Sequence, residues 1–166
     1  SSQQQLSLIT SNLGEKIDNI SNYAITLSIN SNIADVLKEN PTVPENTLEH
    51  FLVNSELTDQ AQRIIGLHKN IYAWDILDTE NHWFHSSTTE TDQLDSILGP
   101  EVLDSLQTNL AFQFLGPFQI SGEPTFVALK SITNIDNTKY LGALVLLIRE
   151  TNISSAFRDL PDSSSR

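Results

Sequence analysis

The segment YLGALVLLIR (140–149) leaves few architectures open. Both of its alternate sets are apolar: Leu141, Ala143, Val145 and Leu147 on one side, Leu144, Leu146 and Ile148 on the other. Successive side chains of a strand point to opposite faces, so this strand must be covered on both and belongs in the middle of its sheet. Its apolar run, Leu141 to Ile148, is far shorter than the roughly 20 residues a membrane-spanning helix needs.

Neighbours for such a strand lie on both sides of it in the sequence. AFQFLGPFQ (111–119) and PTFVALKSIT (124–133) read as strands joined by ISGE, and Asn134 to Asn137 form the next turn. Upstream, IYAWDILD (71–78) and HWFHSS (82–87) flank Thr79, Glu80 and Asn81, the pattern of a hairpin. Residues 91–109 read as two short helices split at Gly99-Pro100, with Pro100 at a first helical position.

The first forty residues have a different period. Leu6, Ile9, Leu13, Ile17, Ile20, Ala24 and Leu27 recur at an average step of 3.5, the repeat of a coiled-coil seam. They predict a long helix over residues 3–39, weakened at Gly14, with SINSN (28–32) marking a bend. Pro41 ends it, because the proline ring disfavours helix at the residue before it. Two readings of the stripe stand: a dimerising strut that carries a signal along its length, or a face packed on the chain's own sheet. After the connector PTVPEN (41–46), a second helix is expected over residues 46–67. Asn46 or Thr47 would be its N-cap, Glu49 lies in its first turn, and Gly66 suits its stop. Thr151 to Leu160 suggest a closing helix. Helices, a hairpin, short helices and three further strands make an α+β domain.

Composition narrows the setting. Acidic residues outnumber basic ones 21 to 9, a net charge of −12 that disfavours nucleic acid and a polybasic membrane-surface role. The absence of cysteine excludes disulfides, thiolate zinc sites and a cysteine nucleophile, and fits an extracytoplasmic bacterial domain. The start SSQQQ, the lack of methionine and the tail PDSSSR suggest a fragment of a parent with membrane spans on either side.

No G-x-S-x-G elbow, Walker loop, H-E-x-x-H or G-x-G-x-x-G is present, so no catalytic residue is assigned and the chain itself is not expected to be an enzyme. His82 and His85, with Asp75, Asp78 and Glu80 nearby, are the first place to look for a metal. Residues three apart on a strand face opposite ways, so the two histidines should not share a site, and Trp83 stands where a calcium loop needs glycine. No metal or cofactor is expected. The sequons at Asn19 and Asn152 carry no meaning in a bacterial chain. Among the aromatics Tyr72, Trp74, Trp83, Phe84, Phe112, Phe114 and Phe118, most should be core, while Trp74 and Trp83 sit among polar neighbours and suit a pocket. Lys130, within an apolar strand, would hold an anionic ligand if it faces a cavity and is otherwise an edge lysine.

IDNISNYAITLSINSNIADVL (17–37), NIYAWDILDTENHWFHSS (70–87) and YLGALVLLIRETNISSAF (140–157) resemble the Cache (PDC-like) sensor region of YesM-type bacterial histidine kinases. The resemblance implies a long N-terminal helix packed on a five-stranded antiparallel PAS-like sheet. It implies a signalling and dimerisation helix over residues 1–40, one sensor domain over 41–160 and a flexible tail over 161–166. It also implies an extracytoplasmic solute sensor on a membrane-spanning kinase, with carbohydrate as the theme, and a homodimer formed through the N-terminal helix. The arginine–tryptophan–tyrosine motif of amino-acid-binding Cache domains is absent, which argues against an amino-acid ligand. The expected ligand contacts are Trp74, Trp83, His85, Phe118 and Lys130, on the side of the sheet away from the N-terminal helix. The partner would be a small solute or a solute-binding protein. The alternatives are the sensor head of a chemoreceptor or diguanylate cyclase, or a ligand-free coiled-coil module.

Overall fold

The computed structural model describes residues 2–41, 43–66, 68–85, 91–134, 136 and 138–153, with the side chains of 2–12, 85 and 91–93 left aside. In chain order the elements are α1 (Ser2–Ser28), α2 (Ser31–Glu39), α3 (Leu48–Ile65), β1 (Ala73–Asp78), β2 (Trp83–His85), α4 (Thr91–Ser105), β3 (Gln113–Ile120), β4 (Glu123–Thr133) and β5 (Tyr140–Arg149). The strands form one sheet in the order β2-β1-β5-β4-β3, antiparallel at every pairing. The doubly apolar β5 is central, as its composition requires, and Leu141 to Ile148 are all buried. This is an α+β fold with N-terminal helices packed on a five-stranded antiparallel sheet.

Local chemistry explains the element ends. The expected single helix is two, α1 and α2, because Asn30 takes an extended conformation and its side chain accepts the Ile33 N–H at 3.0 Å. An asparagine that caps a new helix interrupts the old one. Thr47 does the same for α3, accepting the His50 N–H at 3.1 Å, so that helix begins at Leu48. In α4, Gly99 has φ 73° and ψ 161°, which splits it into the two short helices expected on either side of Gly99-Pro100. Ser121 and Gly122, both at positive φ, close the β3–β4 hairpin as the two-residue turn that matches strand twist. At Gly142 a side chain would run into the Leu77 carbonyl, so glycine is what lets β1 lie against β5 there.

The sheet separates two cores. On one face Trp74, Ile76, Phe84, Leu144, Leu146 and Ile148 meet helices α1 to α3. On the other, Leu77, Val127, Leu129, Val145 and Leu147 meet Leu94 and Leu98 of α4, and Leu106 just beyond it. From Leu13 onward the stripe of α1 is used inside the chain: Ile20, Ala24 and Leu27 are buried against the sheet and Leu13 packs beside them. Among the described residues no helix is long and apolar enough to cross a membrane. The chain is helical over 150–153, and the rest of the expected closing helix lies outside the described residues, as does the 161–166 tail.

Candidate functional site

The face covered by α4, distal to α1, carries buried polar side chains on an apolar floor. Asp75 is 4% exposed in the middle of β1, between Ala73 and Leu77 on the same face. Its register partners are Val145 on one side and His85 on the other. A carboxylate in such surroundings is costly unless partners are matched to it, so it brings polar chemistry to an apolar part of the sheet.

The neighbouring polar groups have structural duties. Thr125 is fully buried; its hydroxyl donates to the Glu123 carbonyl at 3.1 Å and accepts from Arg149 Nη1 at 2.6 Å. Ser131 donates from Oγ to the Leu106 carbonyl and so docks the end of the α4 segment on β4. Trp83 Nε1–H donates to Asp95 Oδ1 at 2.9 Å, tying edge strand β2 to α4. Asp78 Oδ1 accepts the Glu80 and His82 N–H groups at 2.9 and 2.8 Å, and its other oxygen faces His82 Nδ1 at 3.3 Å. Burial, with the Asp78 carboxylate second, pushes the Tyr140 phenol up to about 12, so it stays a neutral donor.

The five residues expected to meet a ligand do not converge. Trp74 is buried on the helix-side face among the residues that meet α1 to α3. Lys130 lies on that same face by alternation with Ala128 and Ile132. Its ammonium donates to the Leu110 carbonyl at 2.6 Å, and burial holds its pKa below that of an ordinary lysine. Trp83 and Phe118 do reach the distal face, but on β2 and β3, the two opposite edges of the sheet. Four strand spacings separate those edges, roughly 19 Å, too far for one small solute to touch both. The backbone of His85 ends β2 beside Asp75, and its side chain lies outside the described residues. Asp75 is thus the residue the sequence reading placed only as a possible metal neighbour. The signal that could have singled it out is a carboxylate set between Trp74 and Ile76 in the middle of IYAWDILD, a segment buried at every position of β1. Among the described residues no group of three or more His, Asp or Glu could hold a metal.

At the end of β5 the residues Arg149 and Asn152 organise the way out of the sheet. Arg149 Nη1 also donates to the Ile120 carbonyl at 2.8 Å, its Nε lies 3.4 Å from Glu123 Oε2, and its guanidinium stacks 4.1 Å over the Tyr72 ring. Within the helical turn 150–153 that follows β5, the Asn152 carbonyl accepts from Lys16 Nζ of α1 at 2.7 Å.

No protein-family model matches the sequence, and no curated protein matches it. Solved structures do. The ligand-binding domain of the Campylobacter jejuni chemoreceptor Tlp3, in complex with L-norvaline, superposes with a TM-score of 0.68 at 13% identity, over 95% of this chain and 61% of that one. The extracellular domain of vpHK1S-Z8, assigned to a histidine kinase, gives 0.64 at 16% identity over 92% of this chain and 57% of that one. A domain of a sensory box/GGDEF family protein from Vibrio parahaemolyticus gives 0.62 at 16% identity over 98% and 64%. The chain spans less than two thirds of each of these structures. It has the fold of extracellular sensor domains.

Proposed function

We propose that this chain is the extracytoplasmic ligand-sensing domain of a membrane-spanning sensor histidine kinase. It seats a small solute on the distal face, against Asp75, and passes the result through its terminal helices. The observation that carries the reading is the Lys16–Asn152 bond: it ties α1 to the segment leaving β5, so both routes out of the sheet start from one place. A solute acts on such a device only through unequal affinity for two arrangements of it. The parent is proposed to dimerise through α1, on surfaces other than the stripe that Ile20, Ala24 and Leu27 spend on the sheet. The chain itself is proposed to catalyse nothing. Heads of a chemoreceptor or a diguanylate cyclase are the alternative outputs, supported by the Tlp3 and GGDEF neighbours.

The resemblance in sequence favours a carbohydrate, whose hydroxyls would donate to Asp75. A second reading, an amine-bearing solute, is favoured by the same buried carboxylate and by the amino acid held in the Tlp3 domain. Thermal unfolding in the presence of sugars, organic acids and amino acids separates the two. A specific binder at 100 times its dissociation constant adds about 2.7 kcal/mol, a rise of a few degrees. Asp75→Asn is expected to abolish the rise. A flat result across all classes turns the reading to sensing through a solute-binding protein; a rise that Asp75→Asn leaves unchanged moves the solute elsewhere.

A further inference from the structure

The first two turns of α3 present Leu48, Phe51 and Leu52 at 74, 65 and 56% exposure. Steps of three and four residues place them on one face of the helix. The remaining apolar stripe of α3, Val53, Leu57, Ala61 and Ile65, is buried against the sheet side, so this second face is a separate feature and not a frayed edge of the core. Beside it runs a cleft of about 280 Å³ between α3, the turn before it and β2, with Phe51 and Trp83 in its lining.

Three polar side chains of that cleft, those of Glu45, Thr47 and His50, are committed to the fold. His50 Nε2 bonds the Trp83 carbonyl at 3.0 Å while its ring stacks on Phe84 at 4.5 Å. Glu45 Oε1 accepts the Trp83 N–H at 3.4 Å. The Thr47 hydroxyl donates to the Pro44 carbonyl at 2.7 Å and accepts from the His50 N–H. Two consequences follow. A polar solute finds these cleft donors and acceptors turned inward. The outward N–H and C=O of Trp83 on edge strand β2 are closed by side chains, so a partner cannot join there as an added strand. Side-chain docking onto Leu48, Phe51 and Leu52 is what the surface leaves open.

Charge says what kind of partner fits. Between Lys38 and Arg63 the sequence has Glu39, Glu45, Glu49, Glu56 and Asp59 and no Lys or Arg. Glu49 and Glu56 are exposed on α3 next to the apolar residues. A second copy of this chain would set acidic rim against acidic rim, which opposes docking. We propose that the Leu48–Phe51–Leu52 face of α3 docks a partner protein presenting an apolar ridge flanked by lysine and arginine. Phe51 is its central anchor, because a large aromatic ringed by polar groups carries a disproportionate share of such interfaces. This surface lies on the helix side of the sheet, so the inference is independent of the solute proposed on the distal face.

Two synthetic helical peptides test it, sharing one leucine ridge but flanked by lysine in one and by glutamate in the other, each titrated into the 166-residue chain by calorimetry. The lysine-flanked peptide is expected to bind and the glutamate-flanked one not. Phe51→Ser, which removes an exposed ring and leaves the core intact, should weaken binding about thirtyfold. Raising salt from about 50 to about 500 mM should weaken it further. Equal binding of both peptides, binding unaffected by Phe51→Ser, or no binding of the lysine-flanked peptide overturns the proposal. So does a self-association in sedimentation that Phe51→Ser abolishes, which would make a second copy the occupant. A sugar or amino acid whose binding is lost in His50→Ala would make the cleft a solute site and equally overturn it.

Discussion

The two faces of the one sheet are built on different terms. The helix-side face is closed by three helices that deliver Ile20, Leu27, Ile33, Val36 and Leu57 onto Trp74, Phe84, Leu144 and Leu146, and its one strand cation, Lys130, is bonded to a carbonyl. The distal face is closed, among the described residues, by α4, broken at Gly99, and it buries Asp75, Thr125 and Ser131 among its aliphatic residues. One side of β5 therefore holds the fold, and the other gives up apolar packing for polar groups under a segmented cover. A sheet apolar on both faces does not have to be equally rigid on both, and the looser face is where an exchangeable ligand costs least to admit.

The largest test of that contrast is a pair of truncations. Trp74→Ala on the helix side is expected to cost about 3–5 kcal/mol, since the surrounding helices cannot close the gap. Leu94→Ala under α4 should cost about 2 kcal/mol, the low end for such a change, because a helix already broken at Gly99 can settle onto the cavity. Denaturant midpoints at constant slope measure both. Equal losses would mean the two faces are equally firm and would remove the argument for placing the solute on the distal one.

Part of this architecture was legible in the sequence, and the reason is particular. YLGALVLLIR could only be a strand buried on both sides, and Gly99-Pro100 could only split a helix. Which face each candidate would take was not legible, because it depends on register across four strands. Trp74 and Trp83 look alike among their neighbours, yet the parity of the hairpin sends one to α1 and the other to α4. Lys130 follows from a phase set by the Ile132–Gly142 pairing, which nothing local announces. The break between α1 and α2 was readable as a weak spot at SINSN; that Asn30 would cap the second helix needed the side chain's position.

Next in size is Arg149→Met. It removes bonds to the Ile120 carbonyl and the buried Thr125 hydroxyl and the stacking on Tyr72, and is expected to cost about 2 kcal/mol. The loss should appear as faster amide exchange in the β3–β4 hairpin, with the helix-side core unchanged. Exchange that rises uniformly would mean the residue supports both faces and not the distal one alone.

A pH titration sharpens the comparison from another direction. The Tyr140 phenol is raised from its ordinary value of 10 to about 12 on the distal face. A raised folded value contributes stability that is complete below the unfolded value and lost as pH climbs through the folded one. Stability should fall between about pH 10 and about pH 12, and Tyr140→Phe should flatten that arm. On the helix side, burial lowers the His68 pKa, so its contribution is present above the unfolded value of 6.5 and lost as pH falls below it. The Tyr140 part of the alkaline arm thus reports the distal face, and the His68 part of the acid arm the helix side. An alkaline arm that survives in Tyr140→Phe would mean other groups set it.

The smallest effect on stability belongs to Lys16→Met, and it bears most directly on signalling. The variant deletes one partly exposed bond to the Asn152 carbonyl, worth about 1 kcal/mol or less, and keeps the aliphatic stem of the side chain. Yet that bond is what joins α1, packed on the helix-side face, to the turn that follows β5, the strand both faces share. With spin labels on exposed α1 position Asp18 and on Thr151, the distance distribution should broaden in Lys16→Met while the denaturant midpoint hardly moves. A distribution as narrow as that of the parent chain would mean packing alone fixes the two ends. The hydrogen bond would then be incidental, and any signal from Asp75 would have to leave through the body of the sheet.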